Sequence, residues 1–381
     1  MPGIYIHIPF CKQACHYCNF HFSTSIKNKN ELIDAILSEI ELTPVLNADP
    51  IQTIYFGGGT PSILPIADIE RIIGALKKKF AFAEQLEITL EANPDDINEH
   101  NLAAWRLSGI NRFSIGIQSF VDEELKWMNR AHNAIESLAC IDMVRAAGFN
   151  NFSIDLIYGS PLLSDEDWEK NIDIVLKKDV PHISAYALTV EPKTALDKMI
   201  AAQRSAAVDP EKQARQFLFL IDKLNEAGYE HYEISNFAKP GLRSNHNSSY
   251  WKGDLYYGFG PSAHAFDGNN RRWNVANNAL YIQSIQKGII PFEEETLTTK
   301  QRLNEYIMTS LRTVEGIDLN IVEKKFGKEK RDVLEKASGK WRVASGESEA
   351  DRKMILKDAH LILTREGKLF ADGIASDLFF D

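Results

Sequence analysis

The first 190 residues alternate short apolar runs with longer stretches in which apolar side chains recur every three or four positions. The short runs are rich in isoleucine and phenylalanine, and they predict β-strands over Ile4–Ile8, Thr53–Phe56, Glu87–Leu90, Arg112–Ile117, Phe152–Leu156 and Ile183–Leu188. The longer stretches predict helices over Glu31–Leu42, Ile66–Phe80, Glu99–Ser108, Asp122–Met128, Ile135–Ala147 and Asp165–Lys177. Gly109 and Gly148 follow two of these helices, where glycine commonly ends one.

Strands that alternate with helices in this way predict a parallel sheet covered by helices, an α/β fold. Right-handed connections would curl the sheet into a full or partial barrel. We therefore expect a partial (β/α)6 barrel, similar to a TIM barrel, followed by a smaller α+β extension at the C-terminus. In such barrels the functional residues collect at the carboxyl ends of the strands.

The alternation stops near residue 205. The pattern then predicts one helix over residues 210–226, a strand over Tyr229–Phe237 and a loop-rich stretch to about residue 292. The last part of the chain predicts a helix over Arg302–Leu311, a charged helical segment over Glu323–Lys340 and a hairpin over Leu361–Ile374. Val314–Leu319 and the turn over residues 364–368 suggest a small separate lobe. These changes predict three domains: a barrel over 1–205, a loop-rich extension over 206–292 and a small α+β lobe over 293–381.

Charge and composition narrow the function classes. The chain has 43 basic and 53 acidic residues, a net charge of -10, which argues against a nucleic-acid or anionic-membrane partner. No apolar run is long enough to cross a membrane, and the N-terminal segment lacks the basic region of a signal peptide. Three of the four cysteines fall within eight residues, which suits a metal site in a reducing compartment. We expect a cytoplasmic protein.

The cysteine motif directly follows the first predicted strand. Cys11, Cys15 and Cys18 are spaced four and three residues apart, so one loop can bring three thiolates to a compact cluster. Three ligands leave one metal position open, whereas a closed structural site needs four. Cys140 lies in a predicted helix and is expected to be buried as a small apolar residue. The alternative is a zinc site that adds one of the histidines His7, His16 and His21.

The pattern CxxxCxxC, preceded by Tyr5-Ile6-His7-Ile8-Pro9-Phe10, resembles the radical S-adenosylmethionine (SAM) superfamily. Within it, the sequence is similar to the branch that contains oxygen-independent coproporphyrinogen III oxidase and the related haem chaperones. The resemblance implies a [4Fe-4S] cluster on Cys11, Cys15 and Cys18, with a fourth iron that chelates SAM. It also implies an electron donor that reduces the cluster, since an electron from it cleaves SAM to a 5′-deoxyadenosyl radical.

The resemblance implies a SAM pocket built from the predicted strand ends. Its members would be Tyr5, Tyr17, Gly58, Gly59, Thr60, Glu91, Gln118, Arg130, Asp155 and Ala187. Each also has a simpler structural interpretation. Glu91 would cap the next helix, Arg130 would form a surface ion pair, and Asp155 would be a buried carboxylate satisfied by backbone amides.

Two differences within this branch favour the chaperone over the oxidase. The oxidase resembles this chain but has a fourth cysteine, in the pattern CxxxCxxCxC, at the position of Phe20. It also has a long extension before its first strand, whereas this sequence starts just before Ile4. Both differences predict the chaperone-like relative.

A second motif lies beyond the predicted barrel, at Asn245-His246-Asn247-Ser248-Ser249-Tyr250-Trp251. It resembles the HNxxYW motif of the haem chaperones, which implies His246 as an axial haem ligand and Tyr250 and Trp251 against the porphyrin. The alternative is a loop whose histidine caps a turn. Arg243, Arg271 and Arg272 are predicted to pair with haem propionates. The segment 258–264 also resembles a family loop, with no role assigned.

The leading hypothesis is a haem chaperone that carries haem b to a haem-requiring respiratory membrane protein and lies at the inner face of the membrane through that partner. The main alternative is an oxidoreductase that decarboxylates coproporphyrinogen III. A third hypothesis is a zinc-stabilised scaffold. No catalytic residue is assigned, and the sequence leaves open whether the chain forms a homodimer.

Overall fold

The computed structural model describes residues 2–342 and 352–380. A single twelve-stranded sheet forms the centre of the molecule. Its strands are β1 (Gly3–Ile8), β2 (Ile51–Gly58), β3 (Phe82–Ala92), β4 (Arg112–Gln118), β5 (Phe152–Tyr158), β6 (His182–Ala187), β7 (Glu230–Glu233), β8 (Asn236–Ala238), β9 (Tyr256–Phe259), β10 (His264–Phe266), β11 (Asn270–Asn274) and β12 (Phe292–Thr296). A separate three-stranded sheet contains β13 (Ile317–Asp318), β14 (Met354–Lys357) and β15 (His360–Leu363).

Fourteen α-helices accompany the sheets within the described residues. They are α1 (Lys29–Leu42), α2 (Ile66–Lys79), α3 (Glu99–Leu107), α4 (Asp122–Trp127), α5 (Ala134–Ala146), α6 (Asp165–Lys177), α7 (Ala195–Ala201), α8 (Pro210–Glu226), α9 (Asn245–Trp251), α10 (Asn278–Ile285), α11 (Thr299–Leu311), α12 (Leu319–Phe326), α13 (Lys328–Ala337) and α14 (Ala371–Asp377).

The predicted partial barrel is confirmed. Strands β1 to β6 are parallel and neighbour one another in chain order. No pairing between β1 and β6 closes the barrel among the described residues; β9 adds to β1 on one side and β8 to β6 on the other. The six predicted strands and the six helices between them are all present, with ends shifted by a few residues. The helix α7 was not predicted.

Several predictions for residues 206–292 are wrong in detail. The strand predicted over Tyr229–Phe237 is two short antiparallel strands, β7 and β8. The stretch predicted to be loop-rich contains α9, α10 and the strands β9 to β11, which extend the main sheet. Strands of three to five residues are too short to show a periodic pattern, and their partners lie far away in the sequence. The division into three domains stays a prediction.

The C-terminal region packs on its own apolar cluster, which includes Leu303, Ile307, Leu361 and Ile374. The predicted hairpin over 361–374 is wrong, because β15 pairs with the preceding β14 and residues 371–377 form a helix. The charged segment predicted as one helix is divided into α12 and α13. Gly327, with φ of 95°, separates the two helices in a conformation that other residues rarely adopt.

Polar side chains alternate with apolar ones along β4, β5 and β6, although both faces of these strands are covered. Ser114, Ser153 and Ser184 are buried, while their neighbours Phe113, Ile154 and Ile183 belong to the apolar core. Because successive side chains point to opposite faces of a strand, the polar positions share one face. The interior of the open barrel is therefore polar, and the apolar core lies between the strands and the helices.

The described helices include none that is both long enough and apolar enough to span a lipid bilayer.

Candidate cofactor site and an adjoining cavity

The cysteine loop begins directly after β1 and is fixed by backbone hydrogen bonds. Its start is held by Ser23, whose carbonyl oxygen accepts from the Cys11 amide at 3.0 Å. Its middle is held at His16, whose amide donates to the Met128 carbonyl at 3.1 Å and whose carbonyl accepts from the Leu196 amide at 2.8 Å. These contacts tie the loop to the end of α4 and the first turn of α7, at the carboxyl end of the barrel.

The three cysteines of this loop are half-buried and form no disulfide. Burial raises the pKa of Cys18 to about 11 and also raises that of Cys11, so these thiols hold their protons when no metal is bound. Cys140 is fully buried and its thiol donates to the Ser137 carbonyl at 3.1 Å, which confirms its expected role as a packed core residue. The loop thus supplies three sulfur ligands without a fourth cysteine beside them.

The three histidines of the zinc alternative are engaged elsewhere. His7 has partners on both ring nitrogens, the Tyr5 hydroxyl at 3.2 Å and the His21 carbonyl at 2.9 Å. His16 Nδ1 bonds the Trp127 carbonyl at 2.6 Å, and His21 Nε2 bonds the Asn278 side chain at 2.8 Å. Among residues 2–342 and 352–380, no group of three or more His, Cys, Asp or Glu side chains is placed to hold a single metal ion.

The glycine segment that ends β2 runs against the residues that lead into the cysteine loop. The Gly59 amide donates to the Ile8 carbonyl at 2.9 Å, and the Thr60 amide donates to the Phe10 carbonyl at 2.7 Å. A Cβ atom on Gly59 would lie 2.6 Å from the Phe10 carbonyl oxygen, so only glycine permits this approach. Gly58, Gly59 and Thr60 therefore lie beside Cys11, as the pocket prediction requires.

The side chain of Arg130 is buried between the cysteine loop and the ends of β3 and β4. One guanidinium nitrogen donates to the Asn93 side chain at 2.8 Å and to the Gly116 carbonyl at 2.7 Å. The other lies 3.3 Å from Cys15 Sγ and 3.5 Å from the Tyr17 hydroxyl. Because these partners are uncharged, the arginine is not a surface ion pair, and its positive charge faces the cysteine loop. A charge in this place suits an anionic iron–sulfur cluster.

Glu91 lies at the end of β3 and points to the glycine segment. Its carboxylate accepts from the Tyr55 hydroxyl at 2.8 Å and from the Gly58 amide at 3.2 Å. Burial, with Asp155 nearby, raises the pKa of Glu91 to about 7. The carboxylate is therefore held by the site itself and does not cap the following helix, whose own N-cap is Asn98.

Asp155 was predicted to end β5, but the strand continues to Tyr158 and Asp155 lies in its middle. Its carboxylate accepts from Ser114 at 3.4 Å and from Ser184, and burial raises its pKa to about 6. Gln118 ends β4 with φ of 69°, and Ala187 ends β6. The parallel register therefore gathers these side chains in and around the open barrel.

The HNxxYW motif forms the short helix α9, not a loop, and it lies at the amino end of the barrel. His246 is 1% exposed, and its ring bonds Thr53 through Nδ1 and Tyr250 through Nε2, both at 2.8 Å. A Cβ atom on Gly3, the first residue of β1, would lie 3.5 Å from the imidazole. Burial lowers the pKa of His246 to about 3. As arranged here, His246 offers no free nitrogen to an iron atom.

A cavity of about 950 Å³ opens between the cysteine loop, α9, β10, α11 and α12. Tyr250 and Trp251 line it, whereas His246 does not. Tyr5 and Phe20 contribute from the first strand and the cysteine loop. This volume is in the range of sites that enclose cofactors, and aromatic walls are typical of them.

The arginines predicted for haem propionates differ in their positions. Arg271 lines the cavity and is paired with Glu305. Arg243 is paired with Glu230 at 3.0 Å and Glu315 at 2.8 Å and does not line the cavity. Arg272 lies over the Phe292 ring and lines a second, smaller cavity of about 190 Å³. Of the three arginines only Arg271 lines the larger cavity, and the alternating side chains of β11 send Arg271 and Arg272 to opposite faces.

Tyr55 is a site residue that the sequence reasoning missed. Its ring stacks on Tyr5 at 6.1 Å and on His246 at 4.9 Å, and its hydroxyl holds Glu91. Asn93 and Glu87 were also missed; Asn93 binds Arg130, and Glu87 accepts from two backbone amides at the start of α9. The alternation of polar residues along otherwise apolar strands was the available signal for Tyr55 and Glu87, and it continues to Asn93 directly after β3.

Comparison with known families gives two matches along the chain. A sequence model described as the radical SAM superfamily matches residues 5–175. A second model, described as the HemN C-terminal domain, matches residues 297–370. The first match includes the cysteine loop and the strands β2 to β5, and the second includes α11 and α12.

Similar proteins include two that carry the name heme chaperone HemW. The one from Bacillus subtilis is 33% identical over 86% of this chain and 88% of its own length. The one from Mycobacterium tuberculosis is 32% identical over 99% of this chain and 94% of its own length. The mitochondrial radical S-adenosyl methionine domain-containing protein 1 of Danio rerio is 30% identical over 100% of this chain and 87% of its own.

Among solved structures, coproporphyrinogen III oxidase (HemN) from Escherichia coli superposes with a TM-score of 0.83. The match covers 99% of this chain and 90% of that chain at 23% sequence identity, so it establishes a shared fold. Membership of the superfamily implies a [4Fe-4S] cluster and SAM, and the cysteine loop and strand-end residues described above supply a fitting donor set. The chain belongs to the HemW family of the radical SAM superfamily.

Proposed function

We propose that this chain is a haem-binding radical SAM protein that delivers haem b to haem-requiring respiratory membrane enzymes. The observation that carries the proposal is the cavity of about 950 Å³ between the cysteine loop and α9, large enough for a porphyrin and walled by Tyr5, Tyr250 and Trp251. Relatives over nearly the whole chain bear the name heme chaperone.

The cofactor assignment follows from the donor set at the carboxyl end of the barrel. Cys11, Cys15 and Cys18 would hold the cluster, and Arg130 would balance part of its negative charge. Gly58 to Thr60 offer backbone groups, while Glu91 offers a carboxylate to ribose hydroxyls. When bound, the reduced cluster supplies the electron that cleaves SAM. The electron donor, the recipient enzyme, a homodimer and a peripheral position at the membrane stay predictions.

The cavity has the polarity that haem requires. Its aromatic side chains suit the porphyrin faces. Arg302, Lys252 and Lys325 also line it, and none of these cations makes a salt bridge with a described residue. Arg302 donates only to uncharged side chains, Asn269 at 3.1 Å and Thr299 at 3.3 Å. Cations that lack a carboxylate partner at the edge of an apolar cavity suit the propionates of haem.

The position of Phe20 favours a carrier over the oxidase. The oxidase pattern has a cysteine here, whereas Phe20 contributes an apolar ring to the cavity wall. Where the oxidase pattern has a thiol, this chain thus has an aromatic ring that can contact an apolar ligand. The alternative activity, decarboxylation of coproporphyrinogen III, is tested together with haem binding.

The test uses the full chain, purified and reconstituted with iron and sulfide without oxygen. Haem b is titrated and followed by its Soret absorbance, and coproporphyrinogen III with SAM and a reductant is assayed in parallel. We expect one saturable haem site per chain and no protoporphyrinogen. Trp251→Leu is expected to weaken haem binding, whereas the matched Trp341→Leu outside the cavity is not. Catalytic formation of protoporphyrinogen, or haem binding that both variants leave unchanged, would overturn the proposal.

A further inference from the structure

The cysteine loop carries one fully charged side chain that the CxxxCxxC motif leaves unassigned. Lys12 is the only lysine, arginine, aspartate or glutamate between Cys11 and Cys18. Its ammonium group lies 2.6 Å from a carboxylate oxygen of Asp95 and is also paired with the carboxylate of Asp96. Both acidic residues belong to the short turn that follows β3. The cation of the loop is therefore held against a neighbouring strand end.

The two carboxylates differ in what else holds them. Asp96 is buried and accepts from the Ser62 hydroxyl at 2.6 Å. Asp95 is half-buried; its Oδ2 accepts from Lys12, and its Oδ1 is buried without a hydrogen-bond partner among the described residues. Without the ammonium group, Asp95 would keep a shielded carboxylate with no donor among these residues, which is costly. This contact is therefore more than a solvated surface ion pair, which usually adds little stability.

The same contacts join the cysteine loop to the glycine segment and to Arg130. Ser62 lies in the turn directly after the glycine segment, and its hydroxyl oxygen accepts from the Asn93 amide at 3.3 Å. The Asn93 side chain accepts from Arg130 at 2.8 Å, and Arg130 lies 3.3 Å from Cys15 Sγ. A series of polar contacts therefore starts and ends on the cysteine loop, and its members in order are Lys12, Asp96, Ser62, Asn93, Arg130 and Cys15.

Lys12, Asp95 and Asp96 form an ion triad beside Cys11. An iron–sulfur cluster becomes more negative on reduction, so a nearby cation favours the reduced state and a nearby carboxylate disfavours it. Because the triad contains both kinds of charge, removing its cation and removing a carboxylate change the net charge in opposite directions. Either change also weakens the contact that holds the loop. Effects on position and effects on charge can therefore be distinguished by experiment.

We propose that Lys12 is a positioning residue for the cluster, and that the ion triad fixes both the shape of the cysteine loop and the reduction potential of the cluster. This inference rests on the proposed function, because it requires a cluster on the loop. It adds to that function a residue outside the cysteine motif. The triad contributes charge and geometry only, so no bond to the cluster is made or broken by it.

The experiment compares wild type with Lys12→Met, Lys12→Arg and Asp95→Asn, each reconstituted with iron and sulfide without oxygen. Lys12→Met removes the charge but keeps a long side chain, whereas Lys12→Arg keeps the charge. The matched control is Lys170→Met, which breaks the exposed ion pair with Asp167 on α6. A potentiometric titration followed by electron paramagnetic resonance measures the midpoint potential. Visible absorbance after exposure to air measures the rate of cluster loss.

Both Lys12→Met and Asp95→Asn weaken the triad, so both are expected to lose the cluster in air about threefold faster than wild type. Their midpoint potentials should shift in opposite directions. Lys12→Met removes a positive charge and should lower the potential, whereas Asp95→Asn removes a negative charge and should raise it. Lys12→Arg should restore the wild-type potential and air stability, and Lys170→Met should change neither.

The outcomes separate this inference from the proposed function. If the wild type holds no cluster after reconstitution, both fail. If the wild type holds a cluster and Lys12→Met keeps its potential and its air stability, the function stands and the inference is wrong. Shifts of the same sign in Lys12→Met and Asp95→Asn would show that only the loop structure had changed, and they would also overturn the role of the triad in setting the potential.

Discussion

The two motifs that stand out in the sequence occupy opposite ends of the open barrel and differ in what they expose. The cysteine loop follows the carboxyl end of β1 and leaves its three thiols half-buried, without a fourth ligand. The α9 motif lies near Gly3 and Thr53 at the amino ends of β1 and β2, and its histidine is sealed between Thr53 and Tyr250. A short sequence motif therefore identifies candidate ligand residues, but their exposure in the folded chain determines which of them can bind a ligand.

A continuous series of ring contacts also joins the two ends of the barrel. Tyr5 stacks on Tyr55, Tyr55 stacks on His246, and His246 contacts Tyr250 edge-on at 4.9 Å. The hydroxyl of Tyr55 holds Glu91 in the cofactor site, while Tyr250 lines the cavity. The cofactor site and the cavity thus share a supporting layer although they use different ligands.

The largest effect is expected at the cysteine loop. Cys15→Ser is expected to abolish the cluster, since two cysteines and a serine hold iron poorly; the wild-type protein should carry about four iron atoms per chain. Iron and labile sulfide are measured after anaerobic reconstitution. The matched control is Cys140→Ala, which removes a buried thiol far from the loop and should keep the iron. Full iron content in Cys15→Ser would contradict the cofactor site.

Much of this site could be predicted because its parts are local. Cys11 to Cys18, Gly58 to Thr60 and Glu91 each belong to a short motif next to a strand long enough to show its pattern, and parallel order then brings them together. The cavity could not be predicted in the same way. Its wall draws on segments from Tyr5 to Phe326, and β9 reaches β1 through a pairing that no local pattern encodes.

The next effect concerns the buried histidine of α9. His246→Ala is expected to lower the free energy of unfolding by about 3 kcal/mol, because it opens a cavity and leaves Thr53 and Tyr250 without their shared partner. Denaturant unfolding of the chain measures this, with His100→Ala as the exposed control. A variant as stable as the wild type would show that the histidine is no structural element of the barrel.

A smaller effect is expected from the titration of the carboxylates in the cofactor site, which do not line the cavity. The raised pKa of Glu91, about 7, means that the folded protein binds this proton more tightly than the unfolded chain, so stability falls as pH rises from about 4.5 towards 7. SAM hydroxyls prefer the ionised carboxylate, so SAM affinity should rise about tenfold from pH 6 to pH 8.

Glu91→Gln is the matched variant for this pH dependence. It keeps the shape of the side chain and removes its charge, so SAM affinity should lose most of its rise between the two pH values. Calorimetry measures the SAM affinity of the reconstituted wild type and of Glu91→Gln at each pH. The titration of SAM itself affects both proteins equally, so it cancels when their pH profiles are compared. Asp155, with a pKa raised to about 6, contributes at lower pH. Parallel pH profiles in wild type and Glu91→Gln would place SAM away from this carboxylate.

The smallest effect is expected at Phe20, the residue that belongs to both regions. Its chain position is in the cysteine loop, two residues after Cys18, and its amide hydrogen-bonds the Cys18 sulfur. Its side chain is 68% exposed and lines the cavity. Phe20→Ala keeps the amide and removes the ring, so haem affinity should fall about fivefold, from the loss of roughly 1 kcal/mol of aromatic contact.

The iron content of Phe20→Ala should stay at the wild-type level, because only the ring is lost. Haem titration and iron analysis on one preparation test both halves. If iron is lost with haem affinity, the ring supports the cluster and the two regions form a single site. If only haem affinity falls, the Phe20 ring contacts haem and does not support the cluster. The cysteine loop would then form one wall of the haem site without adding a ligand to the cluster.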